Sequence, residues 1–261
     1  MNFEEDVADL RTTWSLPYHP KHVRLPPNRF VGRRRARRVG TQLLIIGNES
    51  PRYAYDLSST PLGDQTLACF EHVCRLHDAL DEGVRRAFLI KPYWDLGWRL
   101  RERFVERLGA GKICADPNLD RALKSARIAI CTSPQTTFSQ AMICGAPALL
   151  VYPQHLWETE PRFDGLIAAL RAANLLFSDP LSAAAHINRV WPSPLAWWDS
   201  DATRTARCQF EMEALDMCGD WLSPWVELAN SLASGADRRV GSEMVSRDIA
   251  IPLAARDNKQ R

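Results

Sequence analysis

The sequence has no CxxC pair, no zinc-site spacing of cysteine and histidine, no P-loop lysine, no GxGxxG turn and no internal repeat. Each absence removes a class of protein. With no thiols at metal or redox spacing, the seven cysteines, an odd number, read as reduced residues rather than a disulfide or zinc framework. Cys69, Cys74, Cys131 and Cys144 fall within apolar patterns, which fits buried thiols and a cytoplasmic location. No apolar run approaches the ~18 residues that a bilayer span needs. The opening residues Glu4, Glu5 and Asp6 are acidic rather than basic-then-apolar, so no signal peptide is expected. Net charge is only +2, which argues against wholesale nucleic-acid binding. His72 and His77 do not share a helix face well enough to chelate, and no metal is expected.

What is present is the composition of a globular protein: 261 residues, 46% hydrophobic and 25% charged. Residues 1–40 carry no apolar period, pass through proline-rich sequence and end in Arg33, Arg34, Arg35, Arg37 and Arg38. They read as an arm or linker. The arginine run is foremost a solvated segment, and otherwise a peripheral contact with an anionic membrane surface or nucleic acid. From Gln42 onward short apolar runs alternate with helical periods. Residues 43–46, 88–90, 113–114, 128–130, 147–151 and 175–177 read as strands. Residues 64–82, 98–108, 118–125, 166–173, 181–190, 202–217 and 224–232 read as helices, the last with Ser223 as N-cap and Pro224 at N1. The alternation predicts a single Rossmann-like α/β domain over residues 41–198, a parallel sheet with helices on both faces. C-terminal helices over 199–234 are expected to pack back on it. The charged, unpatterned residues 235–261 are expected to be disordered.

The densest information lies in residues 127–153, RIAICTSPQTTFSQAMICGAPALLVYP. They read as strand, hydroxyl-rich turn, helix, glycine stop and strand. The hydroxyls of the turn suit a helix cap, and Gly145 suits a left-handed stop. A helix N-terminus at the carboxyl end of a parallel strand is where α/β proteins hold phosphate, which makes this turn the best candidate site. Such turns also serve as plain connections, and on local sequence the two readings are even. Arg52 and Lys91 each follow a predicted strand on the same sheet edge as Ser133, so all three can converge on one crevice. The plainer readings are a solvated loop arginine and a strand-end lysine with its stem buried. Tyr53 and Tyr55 suit base stacking or simple cover for the sheet, and Trp197 and Trp198 suit core packing.

The segments SPRYAYDLSSTPLGDQ, KPYWDLGW, TSPQTTFSQAMICGAPALLVYP, HLWETEPRFDGLIAAL and SAAAHINRVWPSPLAWWDS occur in an order and spacing that carries a resemblance. Over residues 41–215 the chain resembles the C-terminal half of bacterial transferases of surface-carbohydrate biosynthesis. Those are distant relatives of GT-B glycosyltransferases and of capsule and teichoic-acid polymer transferases. The resemblance implies a GT-B C-terminal-type domain that holds the nucleotide of an activated sugar or polyol, with no separate cofactor and no metal. It implies Ser50, Arg52 and Tyr53 near the donor; apart from the resemblance, the placement of Arg52 and Lys91 at strand ends would let both offset its charge. Ser133, Thr136 and Thr137 would lie at the diphosphate or sugar, and Gln140 at the ribose, where relatives tend to carry Glu. His155 and Glu158 follow the next strand on the same edge and are expected to face the cleft. No residue is assigned as catalytic base.

A GT-B catalyst closes two such domains, and this sequence supplies one. Three readings therefore stand together: a donor-binding half that works with an acceptor-domain partner chain, a non-catalytic nucleotide- or partner-binding domain, and an unrelated α/β module with a basic arm. Apolar surface exposed on the crevice side is expected if another domain covers it.

Overall fold

The computed structural model describes residues 6–30, 40–53, 61–216 and 220–234. Two compact units divide the chain, one from residues 1–31 and 210–261, the other from residues 32–209. The smaller unit begins with β1 (Arg11–Thr13) and β2 (His22–Arg24), which pair in parallel. An arm was expected here. Three-residue strands are too short to print a period on the sequence, so the pair was not legible. Arg33, Arg34, Arg35, Arg37 and Arg38 lie outside the described residues.

The larger unit carries the sheet: β3 (Gln42–Ile46), β4 (Phe88–Lys91), β5 (Ala126–Cys131), β6 (Ala148–Val151) and β7 (Leu176–Phe177). All neighbours are parallel, in the order β4-β3-β5-β6-β7. The helices are α1 (Asp64–Asp78), α2 (Glu82–Arg86), α3 (Leu100–Leu108), α4 (Leu119–Ser125) and α5 (Thr136–Cys144). They continue with α6 (Asp164–Ala172), α7 (Pro180–Val190), α8 (Pro194–Trp198) and, through residue 209, the first part of α9 (Asp201–Ala214). The expected α/β class with a parallel sheet and flanking helices is what the chain forms.

Alternation of side chains along each strand explains the layers. Leu43, Ile45, Ile128, Ile130, Leu149 and Val151 form one fully buried face with Val73 and Leu76 of α1, Phe104 of α3 and Ile187 of α7. Leu44, Ile46, Ala129 and Leu150 take the other face and are equally buried, on the side where α4 and α5 lie against the strands. Because both faces are covered, the strands read as unbroken apolar runs. One expected strand fails: Ile113 makes a single parallel bridge to Ile90, with Cys114 N–H donating to Ile90 O at 2.7 Å. The 3-10 turn of Ala110–Lys112 just before it leaves no room for a longer ladder.

The smaller unit is completed by α10 (Leu222–Ala233), whose Leu228 and Trp225 bury Val23 and Leu25. Trp225 Nε1 donates to Pro26 O at 3.0 Å. Ser223 is not the cap expected of it. The helix opens two residues earlier than expected, at Leu222, and Ser223 N–H itself donates to Asp220 Oδ1 at 3.1 Å.

Candidate binding site at the sheet's carboxyl edge

Winding reverses at β3. The chain leaves β3 for β4 on one side and returns through β5 on the other, so β3 and β5 are adjacent while their connections diverge. In an open parallel sheet this reversal opens a crevice beyond the carboxyl ends of the two strands, where ligands bind. Gly47 and Asn48 follow β3, Pro92 and Tyr93 follow β4, and Thr132 follows β5. Together with Thr66 and Phe70 of α1 they line a small cavity of about 20 Å³ at that place. The space is large enough for about one water molecule.

The hydroxyl turn after β5 is built differently from expectation. Thr132 does not cap the helix; its Oγ1 donates to Ile46 O at 2.9 Å and its N–H reaches the same carbonyl at 3.3 Å. The N–H bond carries the β3–β5 ladder one step past Cys131, and the hydroxyl gives the same carbonyl a second donor. Ser133 is buried, with Oγ 3.5 Å from Gln135 Oε1. Gln135 occupies the cap position of α5 and makes no side-chain bond to it. An α-helix start that its own side chains leave uncapped keeps N–H donors and a partial positive charge for an anion. Thr136 and Thr137 sit there, half-buried. Thr137 is hydrogen-bonded to Cys131, whose thiol burial pushes up to about 12. At the other end Gly145 stops the helix with φ 74°, as expected.

Arg52 and Lys91 do stand on this edge, each with internal partners. Lys91 Nζ donates to Asp116 O at 2.7 Å and Pro117 O at 3.0 Å. Arg52 N–H donates to Leu96 O at 3.0 Å, and its guanidinium lies 5.6 Å from the Trp98 ring and 5.9 Å from the Tyr53 ring. Ser50 is buried, whereas Tyr53 is exposed. Gln140 points away from the turn's mouth: it is buried, and its Nε2 donates to Asp120 Oδ1 of α4 at 2.7 Å. His155 and Glu158 are exposed on the segment after β6. Tyr55 lies outside the described residues. Tyr93 and Trp94 join Tyr53 as exposed aromatics on the loops after β4 and β3, apolar surface on the side where it was expected.

Glu49 is the residue that sequence reasoning missed. It is buried at the end of β3, and its Oε1 accepts from Leu96 N–H at 2.8 Å and Trp98 N–H at 3.2 Å. Burial raises its carboxyl above the usual range, against the pull of those two N–H donors, and Asp95 adds to the rise. Asp95 is held low by the N–H groups of Gly97 and Arg99, at 2.8 and 3.1 Å. The two carboxyls thus divide the labour: Asp95 folds its own turn and Glu49 fastens that turn to β3. Nothing in the sequence ties residues so far apart. Trp197 and Trp198 pack as expected, Trp197 Nε1 donating to Ala173 O at 3.3 Å.

A parallel sheet with flanking helices and a reversal of strand order defines a generic Rossmann-like α/β domain. The chain belongs to the LIC12162 family of transferases, whose family profile matches residues 2–228. No curated protein matches it.

Proposed function

We propose that this chain is the donor-binding half of a nucleotide-sugar-dependent transferase of glycosyltransferase type, serving cell-surface polysaccharide synthesis. The diphosphate of an activated sugar or polyol sits at the start of α5, held by its N–H groups with Ser133, Thr136 and Thr137. Arg52, from the loop after β3, and Lys91, from the last position of β4, flank it and offset its charge. The observation that carries this reading is the uncapped N-terminus of α5 at the reversal point. Membership in a transferase family supports it. The acceptor is presented by a second domain or chain, for which exposed Tyr53, Tyr93 and Trp94 offer contact surface. Protein donors and the helix dipole neutralise the phosphates without a bound metal.

A second reading, a nucleotide- or partner-binding domain without catalysis, draws on Gln140. Its amide is committed to Asp120, which removes it from the ribose. A thermal-shift panel of CMP, CDP, UDP, GDP and ADP tests binding, with Ser133→Ala/Thr137→Ala as control. Ligand at a hundredfold over Kd contributes about 2.7 kcal/mol. That raises Tm by about 5–10 °C in a domain of this size. A flat panel from folded protein would overturn the donor-site proposal.

A further inference from the structure

Beside the crevice, beyond β6, lies a larger cavity of about 250 Å³. Tyr152, Gln154, Trp157, Thr159, Asp164 and Arg171 line it, and Trp157 also walls the small cavity at the reversal point. We propose that this cavity is a subsite for a single polyhydroxylated ring, the sugar of the activated donor; the inference rests on the donor-site reading above. Its volume is under the roughly 300 Å³ at which pockets for whole ligands begin, so it takes one ring and not an entire nucleotide-sugar. Tyr152 and Trp157 meet at 84° with centroids 6.3 Å apart. They make a corner rather than the parallel slot that a flat base requires. A saturated ring can set one C–H face on either aromatic and turn its hydroxyls to the rim.

The rim suits hydroxyls, which both donate and accept. Asp164 accepts, Arg171 donates, and Thr159 does both. One acid and one base leave it without the positive excess that a phosphate would select. Gln154 bonds to both Tyr152 and the Arg171 guanidinium, so that part of the rim is set before ligand arrives. The Trp157 indole N–H is buried with no partner, a donor the chain alone does not satisfy.

The test is a ¹⁵N NMR titration of the full chain with UDP, GDP, UDP-glucose, GDP-mannose and methyl glucoside. The Trp157 indole signal is assigned by its loss in Trp157→Phe. It is expected to move with a sugar-linked nucleotide and not with UDP or GDP alone. Asp164→Ala is expected to weaken the sugar-linked nucleotide about tenfold and leave the bare nucleotide's affinity unchanged. An indole signal that no probe moves, or that bare nucleotide moves equally, overturns the subsite. The donor-site reading is scored separately, at the backbone amides of Thr136 and Thr137. If those move while Trp157 is still, the sugar subsite falls and the donor site stands. If Trp157 moves with methyl glucoside while those amides stay still under every nucleotide, the donor site falls and the cavity is a monosaccharide site rather than the donor's sugar subsite.

Discussion

Lowering the pH from 7.5 to 4.5 is expected to destabilise the protein partly through one buried side chain, His186. The residue sits on α7, 4% exposed, against Phe177 and Trp197 at 5.4 and 5.0 Å between centroids. Arg189 Nη2 lies 2.9 Å from its Nδ1. Arginine can only donate, so Nδ1 accepts and the ring proton resides on Nε2, buried without a partner. A second proton would have to enter at Nδ1, in apolar surroundings and against the guanidinium. Burial first, and Arg189 second, lower its pKa from 6.5 to about 4. The sign follows from linkage: the unfolded chain takes up the proton near 6.5, the folded chain only near 4. Stability is therefore full above 6.5 and falls as pH drops through that window. At 1.36 kcal/mol per pH unit the fall is about 3 kcal/mol, and solvent screening reduces it to about 1–2 kcal/mol. His72 and His77 are also lowered, by burial, and add to the same window. Comparison with His186→Phe isolates the term. Urea unfolding followed by tryptophan fluorescence, at several pH values from 7.5 to 4.5, gives the two stability profiles. The wild type should lose about 1–2 kcal/mol more than the variant. Parallel profiles would refute the reasoning.

Three further outcomes follow from the larger unit. Gly40 packs against the strand entering β5, and a Cβ there would fall 1.9 Å from Ser125 O; Gly40→Ala should cost about 1–3 kcal/mol in chemical denaturation. Thr66 Oγ1 is buried without a partner beside the small cavity. Thr66→Val should thus be neutral or stabilise by up to about 1 kcal/mol, whereas a clear loss would reveal a bound water holding that hydroxyl. Among the described cysteines, Cys208 is exposed while burial pushes Cys69 up to about 11 and Cys74 to about 12. An aromatic disulfide reagent at pH 8 should modify Cys208 at once and Cys69 and Cys74 only on unfolding.

The sheet was legible because its strands are buried on both faces. Runs such as Leu43 to Ile46 need no alternation to be recognised, and Gly145 ends α5 as its chemistry requires. What escaped was decided by partners distant in sequence. Thr132 reads as a cap until β3 is set beside β5 and leaves Ile46 O to be paired. Gln140 reads as a ligand group until α4 brings Asp120 within 2.7 Å. Glu49 is one polar loop residue among several, and only the turn containing Asp95 gives it a role. Residues 11–13 and 22–24 are too short to announce strands, and Val23 is buried with Leu228, some two hundred residues on. Trp157, in the segment HLWETEP, drew less attention than His155 and Glu158, yet it borders both cavities while those two are exposed.

The central claim is that a nucleotide diphosphate binds at the start of α5, and backbone-amide NMR with UDP, GDP, CDP and ADP tests it most directly. The account predicts that one of them shifts the amides of Thr136 and Thr137, with those of Gly47 and Thr132 beside them, and that Ser133→Ala/Thr137→Ala abolishes the response. Shifts confined to other parts of the chain, or none at millimolar nucleotide, would contradict it.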